Sequence, residues 1–158
     1  MKEQISIDRL YYSTEKNIPV IGGALYEGYK MMLNNDVKQG EKIITDFLVA
    51  VYDTPERRHE QSTKRFVDKI RNKIGLAINN DRSKEIVDIV RQATEEQFEK
   101  VLHPLFLSIR TRGFLIDKDT PITIRKENGK LLLVDGKNRI SILAAMGYKN
   151  LPENWEWD

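Results

Sequence analysis

The sequence predicts a single α+β domain covering residues 1–158, in which a small mixed sheet drawn from both chain ends carries an inserted helical block at about 24–95. Three observations predict it. Apolar residues recur at helical spacing through the middle of the chain, as in Ile43, Ile44, Phe47, Leu48 and Val51. After Gly113 the pattern changes to two β-type runs, Pro121-Ile122-Thr123-Ile124 and Leu131-Leu132-Leu133-Val134. The 158 residues are 40% hydrophobic and 32% charged, which supplies a real core without disulfides or metals.

Ile5 and Ile7 alternate with Ser6 and Asp8, the period of a short strand, and Leu10 to Asn17 reads as a polar turn. Gly22-Gly23 precedes a helix from about Ala24 to Leu33, and Asn34-Asn35-Asp36 breaks it and caps the next. Asp53-Thr54-Pro55-Glu56 is a helix start, followed by the stripe Phe66, Val67, Ile70, Ile74 and Ala77. Asn79-Asn80-Asp81 separates it from a helix holding Ile86, Val87, Ile89 and Val90. Thr94-Glu95-Glu96-Gln97 has capping-box spacing and is expected to open a further helix striped by Phe98, Val101, Leu102, Leu105 and Ile109. Pro104 is expected to kink that helix, and Gly113 to end it in a left-handed cap. Asn128-Gly129 between the two strands is a hairpin signal. Asp135-Gly136-Lys137-Asn138 is a tight turn into a helix from Arg139 to Met146, capped by Gly147.

Composition removes several function classes. Cys 0 excludes disulfides, thiol catalysis, zinc–thiolate sites and iron–sulfur clusters, and fits a cytoplasmic protein. Lys+Arg 26 against Asp+Glu 24 is too balanced to imply nucleic acid or a membrane surface by itself. No apolar run approaches the roughly 20 residues of a membrane span, and no apolar region follows Met1-Lys2-Glu3-Gln4 as in a secretory leader.

The most informative stretch is Leu131 to Pro152. A buried strand delivers an acid and a glycine into a sharp turn, and a helix begins at once with Arg139 in its first turn. Amides at a helix start lack partners in the helix and point outward, so they suit an anion. Gly136 allows close backbone approach to a phosphate, while Lys137 and Arg139 add positive charge. Asp135 is of the type that holds magnesium or accepts a proton. The plainer alternative is a strand–turn–helix whose Asp135 and Asn138 merely cap the helix.

This stretch resembles the DGxHR or GxxR signature of the ParB/sulfiredoxin superfamily. Upstream, Ser108, Ile109, Gly113, Pro121 and Ile122 match that family's SI-x-x-x-G and PI elements in order, and Ile5 to Asn17 is similar to its first strand and turn. The similarity spans roughly the first 20 and last 55 residues and leaves the helical block uncovered. It implies a ParB/sulfiredoxin-type sheet and a nucleotide (ATP, ADP or CTP with magnesium) whose phosphates sit on Gly136, Lys137, Asn138 and Arg139, with Arg110 bordering the turn. Similar serine-kinase-like proteins imply Glu15 as general base and Asp135 as magnesium or acceptor ligand, hence phosphoryl transfer or nucleotide hydrolysis. With Lys137 where sulfiredoxins carry cysteine, sulfinic acid reduction is excluded. With residues 140–158 after Arg139, the DNA-binding and dimerisation regions that follow this domain in partition proteins are not expected. Asn138 replaces the family's usual His or Arg.

Two alternatives belong to other function classes. Arg58, Arg65, Lys69 and Lys73 share one helical face, which fits a DNA-backbone contact or simply a solvated surface. A protein–protein adaptor that has lost its ligand is the other. Asp117-Lys118-Asp119 reads as a polar loop, His59 and His103 as packing or capping residues, and Trp155 and Trp157 as a tail folded back on the core.

Overall fold

The computed structural model describes residues 2–52 and 86–158. The helix expected after Pro55, the break at Asn79-Asn80-Asp81, His59, and the stripe Arg58, Arg65, Lys69 and Lys73 lie outside the described residues, whereas Ile86, Val87, Ile89 and Val90 lie in a helix as expected.

Five strands form one open mixed sheet: β1 (Leu10–Ser13), β2 (Ile18–Pro19), β3 (Thr123–Glu127), β4 (Lys130–Asp135) and β5 (Glu156–Trp157). Their order is β2-β1-β4-β3-β5. β4 runs parallel to β1 and antiparallel to β3, and β5 runs parallel to β3. The helices are α1 (Ala24–Leu33), α2 (Val37–Tyr52), α3 (Ile86–Gln97), α4 (His103–Arg112) and α5 (Lys137–Ala145). The architecture is α+β, with sheet strands from both ends of the chain and helices between them.

The β3–β4 hairpin follows from two residues. Asn128 (φ 52°) and Gly129 (φ 74°) both take the left-handed conformation, whose twist matches that of the flanking strands. Leu131, Leu132 and Leu133 of β4 are all buried, because β4 is central with strands on both sides. Against the sheet sit Tyr29 and Met32 of α1, Phe106 and Ile109 of α4, and Ile140 and Leu143 of α5, all in one core. Each such side chain contributes about 1.5–3 kcal/mol by leaving water. α1 and α2 cross where neither has bulk. A β-carbon on Gly28 would lie 2.5 Å from Ile44, and one on Gly40 would lie 2.6 Å from the Gly28 carbonyl.

Three local expectations are corrected. Ile5 and Ile7 do not form a strand: the chain makes a lone bridge from Ser6 to Asn150, then a 3-10 turn over Ile7–Arg9. The strand is Leu10–Ser13, inside what reads as a polar turn, because Leu10 and Tyr12 bury against the core and take the ladder position beside β4. Thr94 opens no helix. It is 1% exposed inside α3, and its hydroxyl donates to the Arg91 carbonyl at 2.8 Å, so the capping geometry never arises. Ahead of Pro104, Phe98–Leu102 widens into a π-helical turn, and α-geometry resumes at His103 with proline in the first turn, where no helical N–H is required of it.

The tail folds back through Trp155, which is 3% exposed and donates its indole N–H to the Glu3 carbonyl at 3.1 Å. Trp157 stays exposed, edge-on to Trp155 at 5.1 Å. His103 stacks on Phe98, a packing role. Among the described residues no helix is long and apolar enough to cross a membrane.

Candidate functional site

β4 ends at Asp135 and α5 begins at Lys137, so the whole reversal is made at Gly136. Its φ of 98° is one that side chains rarely adopt, and a β-carbon there would stand 2.4 Å from Ile122 Cδ1 and 3.3 Å from an Arg139 guanidinium nitrogen. Gly136→Ala is therefore expected to destabilise the fold by about 1–3 kcal/mol for the backbone alone, and more for the collision. A urea unfolding midpoint equal to the parent's would contradict this.

Gly136 caps α5 without any side-chain hydrogen bond. The first helical bond runs from the Ile140 amide to the Gly136 carbonyl at 2.9 Å, so the amides of Asn138 and Arg139 lie ahead of it at the positive end of the helix. Asp135 and Arg139 face each other across the turn at 3.7 Å. The Arg139 side chain is 14% exposed. It lies over the Phe114 ring and donates through Nη1 to the Thr120 carbonyl at 2.5 Å. Burial lowers its pKa, opposed by the nearby Asp135 and Asp119 carboxylates, and leaves it charged at neutral pH. A guanidinium has five N–H donors, so one hydrogen bond leaves capacity for a ligand.

Two buried tyrosines brace the start of α5. Ser141 donates its hydroxyl to the Lys137 carbonyl at 2.6 Å, so in the Tyr12–Ser141 contact it is the tyrosine that donates. Tyr29 of α1, fully buried and stacked on Phe106 at 5.9 Å, donates to Asn138 Oδ1 at 2.8 Å. Burial, with a smaller contribution from Tyr12, raises the Tyr29 pKa well above its ordinary value, so it stays a neutral donor.

The loop from Gly113 to Thr120 borders the turn and is fixed by Asp119. Its carboxylate takes a two-pronged contact from Arg112, at 2.7 and 3.0 Å, and the Leu115 amide at 2.8 Å. The Arg112 hydrogen bond holds Asp119 below the usual carboxylate range. A lowered folded-state value means that this contribution to stability is present above about pH 4 and is lost as pH falls further. Asp119→Asn is expected to flatten the acid limb of stability against pH. Superimposable urea midpoints for variant and parent across that range would refute it.

Asp135, Gly136, Lys137, Asn138 and Arg139 are thus gathered in one turn. Lys137 is 3% exposed, its side chain turned inside the fold rather than out to solvent. Arg110 is exposed in the last turn of α4, and among the described residues it makes no hydrogen bond or ion pair with the turn. Glu15 is exposed in the turn that follows β1, and residues on either side of it are tied to the sheet: the Thr14 hydroxyl donates to Glu127 at 2.6 Å and Asn17 accepts from Lys130. Among the described residues no cluster of three His, Asp or Glu forms a metal cage. Asp135 alone fits magnesium only in the mode where one carboxylate joins ligand phosphates.

Sequence reasoning missed Tyr12, Tyr29, Phe114, Thr120 and Asp119 as neighbours of the turn. Only tertiary packing brings them there, and none carries a local pattern. Comparison of the chain with protein-family models, with curated proteins and with solved structures found no match.

Proposed function

We propose that the chain binds the phosphates of a nucleotide at the Asp135–Arg139 turn. The observation that carries this reading is the start of α5: a left-handed glycine with no capping side chain, amides ahead of the first helical bond, and Arg139 held beside them. The resemblance of the same residues to the ParB/sulfiredoxin signature supports it independently of the geometry. ATP, ADP and CTP are the ligands to test. Asp135 would hold magnesium together with the phosphates, and the ion would neutralise their charge. Phosphoryl transfer or nucleotide hydrolysis is the chemistry such a site supports. Glu15, exposed in the turn after β1, would serve as the base. The absence of cysteine supports a cytoplasmic location.

A thermal-shift panel of ATP, ADP and CTP, with and without magnesium, tests it. A ligand at 100 times its Kd adds about 2.7 kcal/mol of apparent stability. No shift with any nucleotide at millimolar concentration would reject the reading.

A further inference from the structure

We infer that Tyr29, from the helical block, orients Asn138 by holding its Oδ1, so that the amide hydrogens of Asn138 are presented to a phosphate at the turn. This rests on the reading of the turn given above.

An asparagine amide offers both an acceptor and two donors, and in a first helical turn it can swing either end outward. Here the acceptor end is taken. The Tyr29 hydroxyl donates to Asn138 Oδ1 at 2.8 Å. Tyr29 is 0% exposed and its ring is stacked on Phe106 within 5° of parallel, so accepting from Nδ2 instead would leave its own buried hydroxyl hydrogen without this acceptor. With Oδ1 held on Tyr29, the amide offers its Nδ2 hydrogens on the other side. The Asn138 and Arg139 amides and the remaining guanidinium hydrogens of Arg139 are donors beside it, and the Asp135 carboxylate, 3.7 Å from Arg139, is the acceptor of the turn.

The consequence is a donor placed for phosphate: the oriented amide adds a neutral N–H donor to the backbone amides and the Arg139 guanidinium, and phosphate oxygens are their acceptors. The block beginning at α1 thereby gains a role, because α1 packs beside α5 and supplies a side chain that orients Asn138. Tyr29 is a positioning residue; it does not touch the ligand itself.

The test titrates the full chain calorimetrically with sodium triphosphate, which reports on the turn without a base or sugar. Tyr29→Phe keeps the ring stack and removes only the hydroxyl. It is expected to weaken binding about 3- to 10-fold, the value of one hydrogen bond. Asn138→Ala, at a half-buried position away from the core stack, is expected to weaken it at least as much. In the Asn138→Ala background, Tyr29→Phe is expected to add nothing. A general loosening of the fold would instead weaken binding by the same factor in both backgrounds, and that result would overturn the inference. So would unchanged affinity in Tyr29→Phe or in Asn138→Ala. A parent that binds neither triphosphate nor any nucleotide overturns the nucleotide reading, and this inference with it.

Discussion

Arg139→Ala is expected to weaken nucleotide binding by roughly 10- to 100-fold. That is the range for losing a charged hydrogen-bond donor, about 1.5–3 kcal/mol. The residue combines three properties that no neighbour shares: a side chain only 14% exposed, a carboxylate 3.7 Å away, and a place in the first turn of α5. It also holds the Thr120 carbonyl, so the variant loosens the loop from Gly113 to Thr120 as well. Arg139→Lys separates the two effects. Lysine keeps the charge but not the planar fork, so it is expected to recover part of the affinity. Calorimetric titration giving the same affinity for Arg139→Ala as for the parent would remove Arg139 from the site.

Phe106→Ala is expected to be the most damaging core change near the turn. Phe106 is 1% exposed and stacks on Tyr29, so truncation leaves a cavity against the side chain that holds Asn138. Large aromatic truncations of this kind cost about 3–5 kcal/mol, which lowers Tm by roughly 6–20 °C in a chain of this size. Melting within 2 °C of the parent would show that the stack carries little of the core. Phosphate affinity measured below that melting point is expected to fall as well, because a tyrosine free to rotate no longer fixes the amide.

Where the sequence was legible, local chemistry decided the structure. Asn128-Gly129 takes the hairpin turn that its residues favour, and Gly113 ends α4 at the expected place, although its φ of 72° comes with a ψ of −167°, an extended conformation open to glycine rather than the expected left-handed helical cap. The turn at Gly136 is legible because a glycine between a buried strand and a helix marks the place where the chain can reverse through a positive φ. Elsewhere tertiary packing overrode local pattern. The alternation at Ile5 and Ile7 is real, but both side chains are buried and the strand position beside β4 went to Leu10–Ser13. Thr94 has the spacing of a cap and the environment of a core residue. The roles given to Glu15 and Asp135 came from resemblance, and no local signal in the chain foretold that Thr14 would be drawn to Glu127. The braces under the turn, Tyr12 and Tyr29, lie more than 100 residues from their partners, so no window of sequence contains both members of either pair.

The central claim is that backbone amides opened by Gly136 receive a phosphate, and backbone nuclear magnetic resonance reads those amides one by one. On titration of the labelled chain with ATP and magnesium, the amide signals of Asn138 and Arg139 are expected to move furthest, shifting downfield as they gain an ionised acceptor. If those two signals stay in place while the protein saturates, or if the largest shifts fall on β5 or on the Glu15 turn, the phosphate sits elsewhere and the account of this turn is wrong.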